Sequence, residues 1–360
     1  TMVTEFYLLT QDWKDDESSL PLKYSFGYTA PTSVTGARRI LRAAKPFANV
    51  TTQAMPLGDS TNEYKLTVDV RAIDQIGAYS SIERTITVIS PPAGQRNNVA
   101  SGTISSIDTT AASAEDVVEV ASTLSSAASL LNAVFDDSTT SSTDDASLAE
   151  AEALREELVE TMASFIEVVA DSEAVESSVA VLETAAASSP ESMSSALQTT
   201  ILDNVESLVS SANSLGEVSE SAASSSISCV SSLIDGGLFG VESEPTAMPT
   251  RTPSRRRRRR RLAPTAAPTA NQVDGVLLSL SAAIGLGMVA GEESELASNN
   301  LGMKSSVVDE SLLGLNDAGL SIGAGLASDN DLPDSVTPAM VLPPTLNLSA
   351  GQVTVAAINY

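Results

Sequence analysis

The sequence predicts a mixed fold: an N-terminal antiparallel β-sandwich, a central α-helical bundle and a short C-terminal β segment. Three observations lead there. Leu66, Val68 and Val70 alternate with Thr67, Asp69 and Arg71, a period of two that turns one face of a strand toward a core. Between residues 117 and 212, apolar side chains recur every three or four positions in four successive segments, the spacing of one helix face. After residue 300 the period shortens to two again, at Leu301, Met303, Ser305 and Val307 and at Val353, Val355 and Ala357.

The first section spans residues 1–92. A short apolar run (Phe6, Leu8, Leu9) gives way to Trp13, to the acidic turn Asp15, Asp16 and Glu17, and to Pro21-Leu22. Aromatic alternation follows at Tyr24, Phe26 and Tyr28. Asp74-Gln75-Ile76-Gly77 supplies a turn after the central strand, and Ile86-Thr87-Val88-Ile89 a returning strand. Pro91-Pro92-Ala93-Gly94 cannot continue a ladder and closes the section. Trp13, Tyr24, Phe26, Leu66, Val68 and Val70 are expected to point inward. The chain starts mid-strand and ends on Asn359-Tyr360, which reads as a piece of a longer protein with its sandwich truncated at the start.

Residues 100–243 carry the helical patterns. Ser113 can cap a helix with Asp116 three residues on, placing an acid near the positive end of the dipole. The stripe runs Val117, Val120, Leu124, Ala127, Leu131, Val134, and a loop is expected over 136–145. A second stripe takes Leu154, Leu158, Met162, Phe165 and Val169, and a third Val175, Val179, Leu182 and Ala186. Pro190 is expected to open the fourth, Met193, Leu197, Ile201, Val205, Leu208 and Ala212, since proline at a first helical position loses no hydrogen bond. A weaker fifth pattern covers 217–234 and stops at Gly236-Gly237. Short connections imply antiparallel neighbours. Serine-rich acidic sequence suits disorder, but random polar sequence does not hold its apolar residues on one face for four segments. With 4% aromatic residues the core must be built of Ala, Val and Leu.

Residues 244–270 differ in kind: Pro, Thr and Ala repeats form an extended, disordered linker. Inside it stand Arg255, Arg256, Arg257, Arg258, Arg259, Arg260 and Arg261. Three readings are open for this tract: a solvated run of like charge, a cleavage site for a basic-specific protease of the secretory route, or a signal for nucleic-acid binding or nuclear import. Residues 271–360 read as one more helix, over 271–290, followed by strands. The sixteen uncharged residues at 276–291 fall short of the ~20 that a bilayer requires and read as a buried helix. No signal peptide is visible in residues 1–11, which lack a basic start and a long apolar core.

Charge and composition remove several chemistries. The net charge is −26, and residues 101–250 hold 26 acidic side chains against one basic one, Arg155. Such a surface repels nucleic acid, whose binding depends on Lys and Arg facing phosphates. The chain has no histidine, hence no Ser-His-Asp relay and neither the commonest general base nor the commonest transition-metal ligand. Cys229 is alone, so no disulfide forms within the chain, and it reads as a small buried hydrophobe. Asp15, Asp16 and Glu17 offer oxygen ligands suited to Ca²⁺, but read first as an acidic turn. The glycine-rich run at 285–291 lacks the strand and the lysine of a phosphate loop. No catalytic residue, metal or cofactor is predicted. Asn49-Val50-Thr51 and Asn347-Leu348-Ser349 are glycan acceptor sequons.

The order of motifs in the first section is Trp13-x-Asp15, Pro21-Leu22-x-Tyr24-x-Phe26, Met55-Pro56-Leu57-Gly58 and then Val68-x-Val70-x-x-x-Asp74-x-x-Gly77-Ala78. It resembles the REJ module (receptor for egg jelly) of polycystin-like membrane proteins. The resemblance implies an immunoglobulin- or fibronectin III-like sandwich in which Trp13, Asp15, Pro21, Leu22, Tyr24, Asp74 and Gly77 are scaffold. That family usually carries cysteines, which this section lacks. The helices, with Ser188-Ser189-Pro190-Glu191 between two of them, and the segments 300–308 and 340–360 resemble the GAIN region that leads to the membrane. Its self-cleavage motif, a histidine before Leu-Ser or Leu-Thr, is absent. The resemblance implies a non-catalytic, extracellular interaction or mechanical module of a receptor or channel. Its partner would be an extracellular protein or glycan, not nucleic acid. It would join the membrane through regions outside this chain, with glycan at Asn49 or Asn347. The alternative is an intracellular, largely disordered acidic protein whose arginine tract is an import or binding signal.

Overall fold

The computed structural model describes residues 6–11, 13–14, 20–29, 38–52, 55–58, 62–107, 109, 114–140, 145–169, 171–216, 218–236, 270–289, 292–298, 301–309 and 352–359. Six strands come first: β1 (Phe6–Leu9), β2 (Lys23–Thr29), β3 (Arg38–Lys45), β4 (Asn49–Thr52), β5 (Lys65–Ile73) and β6 (Tyr79–Thr87). They form a four-stranded antiparallel sheet, ordered β3-β2-β5-β6, and a two-stranded one, β1-β4. Leu66, Val68, Val70 and Ala72 of β5 are buried while the residues between them are not, as a period of two requires. Phe6, Leu8 and Val50 of the smaller sheet pack onto a core of Phe26, Tyr28, Leu41, Met55, Leu66, Val68, Val70 and Val88, so the two sheets face each other. Trp13 and Tyr24 pack against this core but stay partly exposed at its margin.

Two strands depart from the sequence reading. The returning strand begins at Tyr79 and ends at Thr87, where 86–89 was expected. As the edge strand it leaves Ile82 44% exposed, so burial selects no regular alternation along it. β3 reads Arg-Arg-Ile-Leu-Arg-Ala-Ala-Lys and shows no alternation because Arg39, Ile40, Leu41 and Arg42 are all buried.

Helices follow: α1 (Arg96–Ser105), α2 (Ala114–Thr140), α3 (Asp145–Ala163), α4 (Ser172–Ala187), α5 (Ser195–Leu215) and α6 (Glu220–Asp235). α1 was not foreseen, because only Asn97, Ala100 and Ile104 of it are buried. Polar contacts hold it instead. Arg96 donates to the Ala133 carbonyl and to Asp137, each at 2.6 Å, and Asn97 donates to the Ser147 carbonyl at 2.9 Å. The same contact fastens α2 at Asp137, inside the loop expected over 136–145, and the helix continues to Thr140. The second stripe breaks after Ala163 into a 3-10 turn, Ile166–Val168, with Phe165 buried. Pro190 opens another 3-10 turn, Pro190–Ser192, and not α5. That helix starts three residues later, where the Ser194 hydroxyl accepts from the Leu197 N–H at 3.1 Å. Asp171 caps α4 and Ser219 caps α6 in the same manner. Gly216, at φ 84°, closes α5 in the left-handed conformation that glycine adopts without strain.

α2 and α4 form the middle of the helical core, with α1 and α3 beside α2, and α5 and α6 beside α4. Its contents are Val117, Leu124, Leu131, Leu158, Val179, Leu182, Ile201, Val205, Leu208 and Val230, among many alanines. The helices described here are packed and not disordered. Serine and threonine enter because their hydroxyls donate to carbonyls one turn back, as Ser126 does to Ser122, Thr184 to Ala180 and Ser226 to Ala222. Among the described residues one helical stretch, Asp116–Asp137, is long and apolar enough to cross a membrane, with mean hydropathy 1.4; 67% of that window is buried inside the fold.

The last elements are α7 (Ala270–Leu286), β7 (Glu293–Ala297), β8 (Gly302–Asp309) and β9 (Gln352–Asn359). α7 ends four residues before the expected 290 and buries Val273, Val276, Leu277, Leu280 and Ala283 against α5, α6 and the antiparallel sheet β7-β8-β9. β7 was not foreseen.

Candidate functional site

The most heavily charged buried region lies where β3 meets the helices, and three arginines of that strand build it. Arg38 crosses β2 to reach Asp69 of β5 at 2.7 Å, also donating to the Ser25 carbonyl at 3.2 Å. It passes over Gly27. A Cβ there would stand 2.7 Å from the guanidinium carbon and from the Arg39 carbonyl oxygen, so the crossing requires glycine.

Arg39 ties the sheet to two helices. It donates to the Ser225 hydroxyl of α6 at 2.7 Å and pairs with the Glu183 carboxylate of α4. The two side chains are 5% and 15% exposed, so solvent screens the pair little. Burial pushes the Glu183 carboxyl up from its ordinary value, while Arg39 and hydrogen bonds from Ser225 and Ser228 oppose that shift. Beside it, burial raises the Tyr28 hydroxyl, with Arg39 and a hydrogen bond to Ser125 of α2 acting against it. Strands β2 and β3 are thus bonded to α2, α4 and α6.

Arg42 organises the three-residue corner between β3 and β4. Its guanidinium sits 4.9 Å from the centre of the Phe26 ring and donates to the Phe47 and Asn49 carbonyls. Between this corner and α2 lies an open, mostly polar cleft of about 470 Å³, whose walls include Arg42, Phe47, Asn49, Thr51, Glu119 and Thr123. Lys45 and Glu119 pair near it at 3.4 Å, exposed enough to contribute little.

This assembly joins the sheet to the helices. Among the described residues no three His, Cys, Asp or Glu side chains are placed to hold a metal ion. Cys229 is buried in α6, and burial with Glu183 nearby pushes its thiol far above neutrality, away from the reactive thiolate.

Of the residues named from the sequence, Pro21, Leu22, Tyr24, Asp74 and Gly77 gather around the β5–β6 turn. Asp74 accepts from the N–H groups of Ile76 and Ala78 at 2.9 and 2.8 Å, and Gly77 takes φ 86°, which closes the β5–β6 hairpin. From that turn Gln75 donates to the Leu20 carbonyl, placing it beside Pro21 and Leu22. Tyr24 lies opposite Ala72 across β2 and β5, and the Trp13 indole N–H donates to the Thr10 hydroxyl. Asn49 and Thr51 are both exposed on β4. Asp15, Ser113, Arg255 to Arg261, Asn347 and most of the 244–270 linker lie outside the described residues. Sequence reasoning passed over Arg39, Arg42, Glu183 and Ser225. The available signal was the set of three arginines within an otherwise apolar run at 38–44.

Residues 1–125 match the family model of the REJ domain. The matched part takes in both sheets of the sandwich, α1 and the first turns of α2, and so includes Tyr28, Arg39 and Ser125 on one side of the junction just described. REJ domains are modules of polycystin-type membrane proteins, which fits a membrane-associated protein. No curated protein and no solved structure matches the chain.

Proposed function

We propose that this chain is a non-catalytic, extracellular interaction and mechanical module of a polycystin-like receptor or channel. The observation that carries the reading is the REJ match over residues 1–125, whose span ends within a helix bonded to the sheet. A module that passes conformation or force from a binding surface toward a membrane needs a stiff connection. Arg39, Glu183, Ser225, Tyr28 and Ser125 supply one, buried away from competing water. The helices and the sheet β7-β8-β9 are, in this reading, a GAIN-like region leading to the membrane. The partner is an extracellular protein or glycan, met by loops that the sandwich positions, and nucleic acid is not bound.

The test is topological. An epitope inserted at Ile76, 86% exposed in the β5–β6 turn, is placed in the full-length protein in animal cells. Antibody is expected to bind on intact cells. Binding only after permeabilisation would overturn the extracellular reading.

A further inference from the structure

We infer that Asn49 is an N-glycosylation site whose first sugar packs on Phe47. The inference rests on the extracellular reading above and adds to it a modified atom and a contact surface. Asn49 opens β4 at the β3–β4 corner, and in a strand residues two apart share a face. Asn49 and Thr51 are both exposed while Val50 between them packs toward the sandwich core. Carboxamide and hydroxyl therefore lie together on the outward side, accessible to a transferase.

The neighbourhood is unusual for a free surface. Phe47, two residues before Asn49, is 64% exposed. On the paired strand Leu9 stands opposite Asn49 and Tyr7 opposite Thr51, and both are exposed. The corner is held in place by the buried Arg42, which donates to the Phe47 and Asn49 carbonyls on either side of Ala48. The aromatic ring presented by this fixed turn stands at the edge of the cleft facing α2 and leaves most of its surface to solvent. One pyranose ring attached at Asn49 packs on that surface, because the C–H-bearing face of N-acetylglucosamine covers apolar area on an aromatic ring. The spacing Phe47-x-Asn49-x-Thr51 brings the first sugar back over the ring.

In the transfer, the Asn49 Nδ2 forms a bond to C1 of the N-acetylglucosamine at the reducing end of a lipid-linked oligosaccharide. The C1–O bond to the pyrophosphate of that donor breaks, the lipid pyrophosphate leaves, and Nδ2 loses one proton.

The experiment uses the full-length protein in animal cells, with occupancy at Asn49 read by mass spectrometry after enzymatic deglycosylation in heavy-oxygen water. A second sample carries Glu83→Asn, which creates an acceptor sequon with Arg84 and Thr85 on the exposed strand β6, where Ser81 and not an aromatic stands two residues before. Expected are glycan at both positions, loss at Asn49 with Thr51→Val, and reduced occupancy at Asn49 alone with Phe47→Ala. Deglycosylating the purified protein should lower its unfolding midpoint by about 2–4 °C, and by less in the Phe47→Ala variant. Glycan at the β6 sequon with none at Asn49 overturns this inference and leaves the extracellular reading standing. Absence from both positions overturns the extracellular reading itself. Occupancy and midpoint indifferent to Phe47→Ala remove the packing contact.

Discussion

The sandwich and the helical core solve the same problem with different materials. The sandwich buries Phe26, Tyr28, Leu41 and Leu66, and spends three arginines of one strand on holding its corner and its neighbours. The helical core is assembled from leucine, valine and alanine with Phe135 and Phe165, many of its serines are bonded to their own backbone, and Arg155 is buried in it 3.9 Å from the Phe135 ring. The sandwich has a small core and relies on polar partners at its margin, whereas the helices share one large apolar core among many close-packed side chains. The difference teaches where each part is vulnerable. The helices should fail by insertion of charge, and the sandwich by loss of particular polar partners.

The largest expected effect is therefore in the helices. Leu158 and Leu197 are buried among apolar neighbours. Leu158→Asp or Leu197→Asp should cost several kcal/mol, on the order of a whole domain's stability. Circular dichroism should show lost helicity or a large fall in the unfolding midpoint. An unchanged melt would mean that this core does not hold the region together.

Next is the pair at the junction. Arg39→Ala strands a buried carboxylate and Glu183→Ala strands a buried guanidinium, each expected to cost about 3–5 kcal/mol in denaturant unfolding. Removing both together with apolar replacements, Arg39→Met with Glu183→Leu, should cost much less than the sum. Additive losses would show that the two do not act on each other.

A smaller effect belongs to Gly27→Ala, which sets a methyl group against the Arg38 side chain and the Arg39 carbonyl and should cost about 1–3 kcal/mol. If the variant is as stable as the parent, Arg38 does not depend on crossing β2 at that point.

The smallest is a pH effect. Burial raises the Glu183 carboxyl in the folded state, so the folded protein binds its proton more readily than the unfolded chain does. That contribution is fully present below the ordinary glutamate value and is lost as pH rises through the raised one. The stability of the parent relative to Glu183→Gln should therefore grow as pH falls toward 4.5. A difference that shrinks with acid would reverse the assigned balance between burial and Arg39.

Much of this architecture was legible because burial was one-sided. Alternation marked β5 and the 3.6-residue stripe marked α5, since each buries one face, and the stripes of the other helices fell on their most deeply buried residues. Asp74 and Gly77 announced the hairpin by local turn chemistry alone. What could not be read was held by long-range contacts. Arg39 to Arg42 of β3 are buried on both faces, and α1 is fixed by Arg96 and Asn97 reaching helices 37 to 53 residues away. Pro190 misled because a first-turn proline serves a 3-10 turn as well as an α-helix. The junction was the least visible feature, as Arg39 and Ser225 are 186 residues apart and neither carries a local motif.

Through that junction the sheet and the helices are expected to open as one cooperative unit. Native-state hydrogen exchange of the full chain tests it most directly, by following amides of β3 (Arg38–Lys45) and α4 (Ser172–Ala187) against denaturant. The account predicts that both are released by the same opening, at one free energy, and that Arg39→Ala separates them. Release of β3 at lower free energy while α4 stays protected in the parent protein would contradict it.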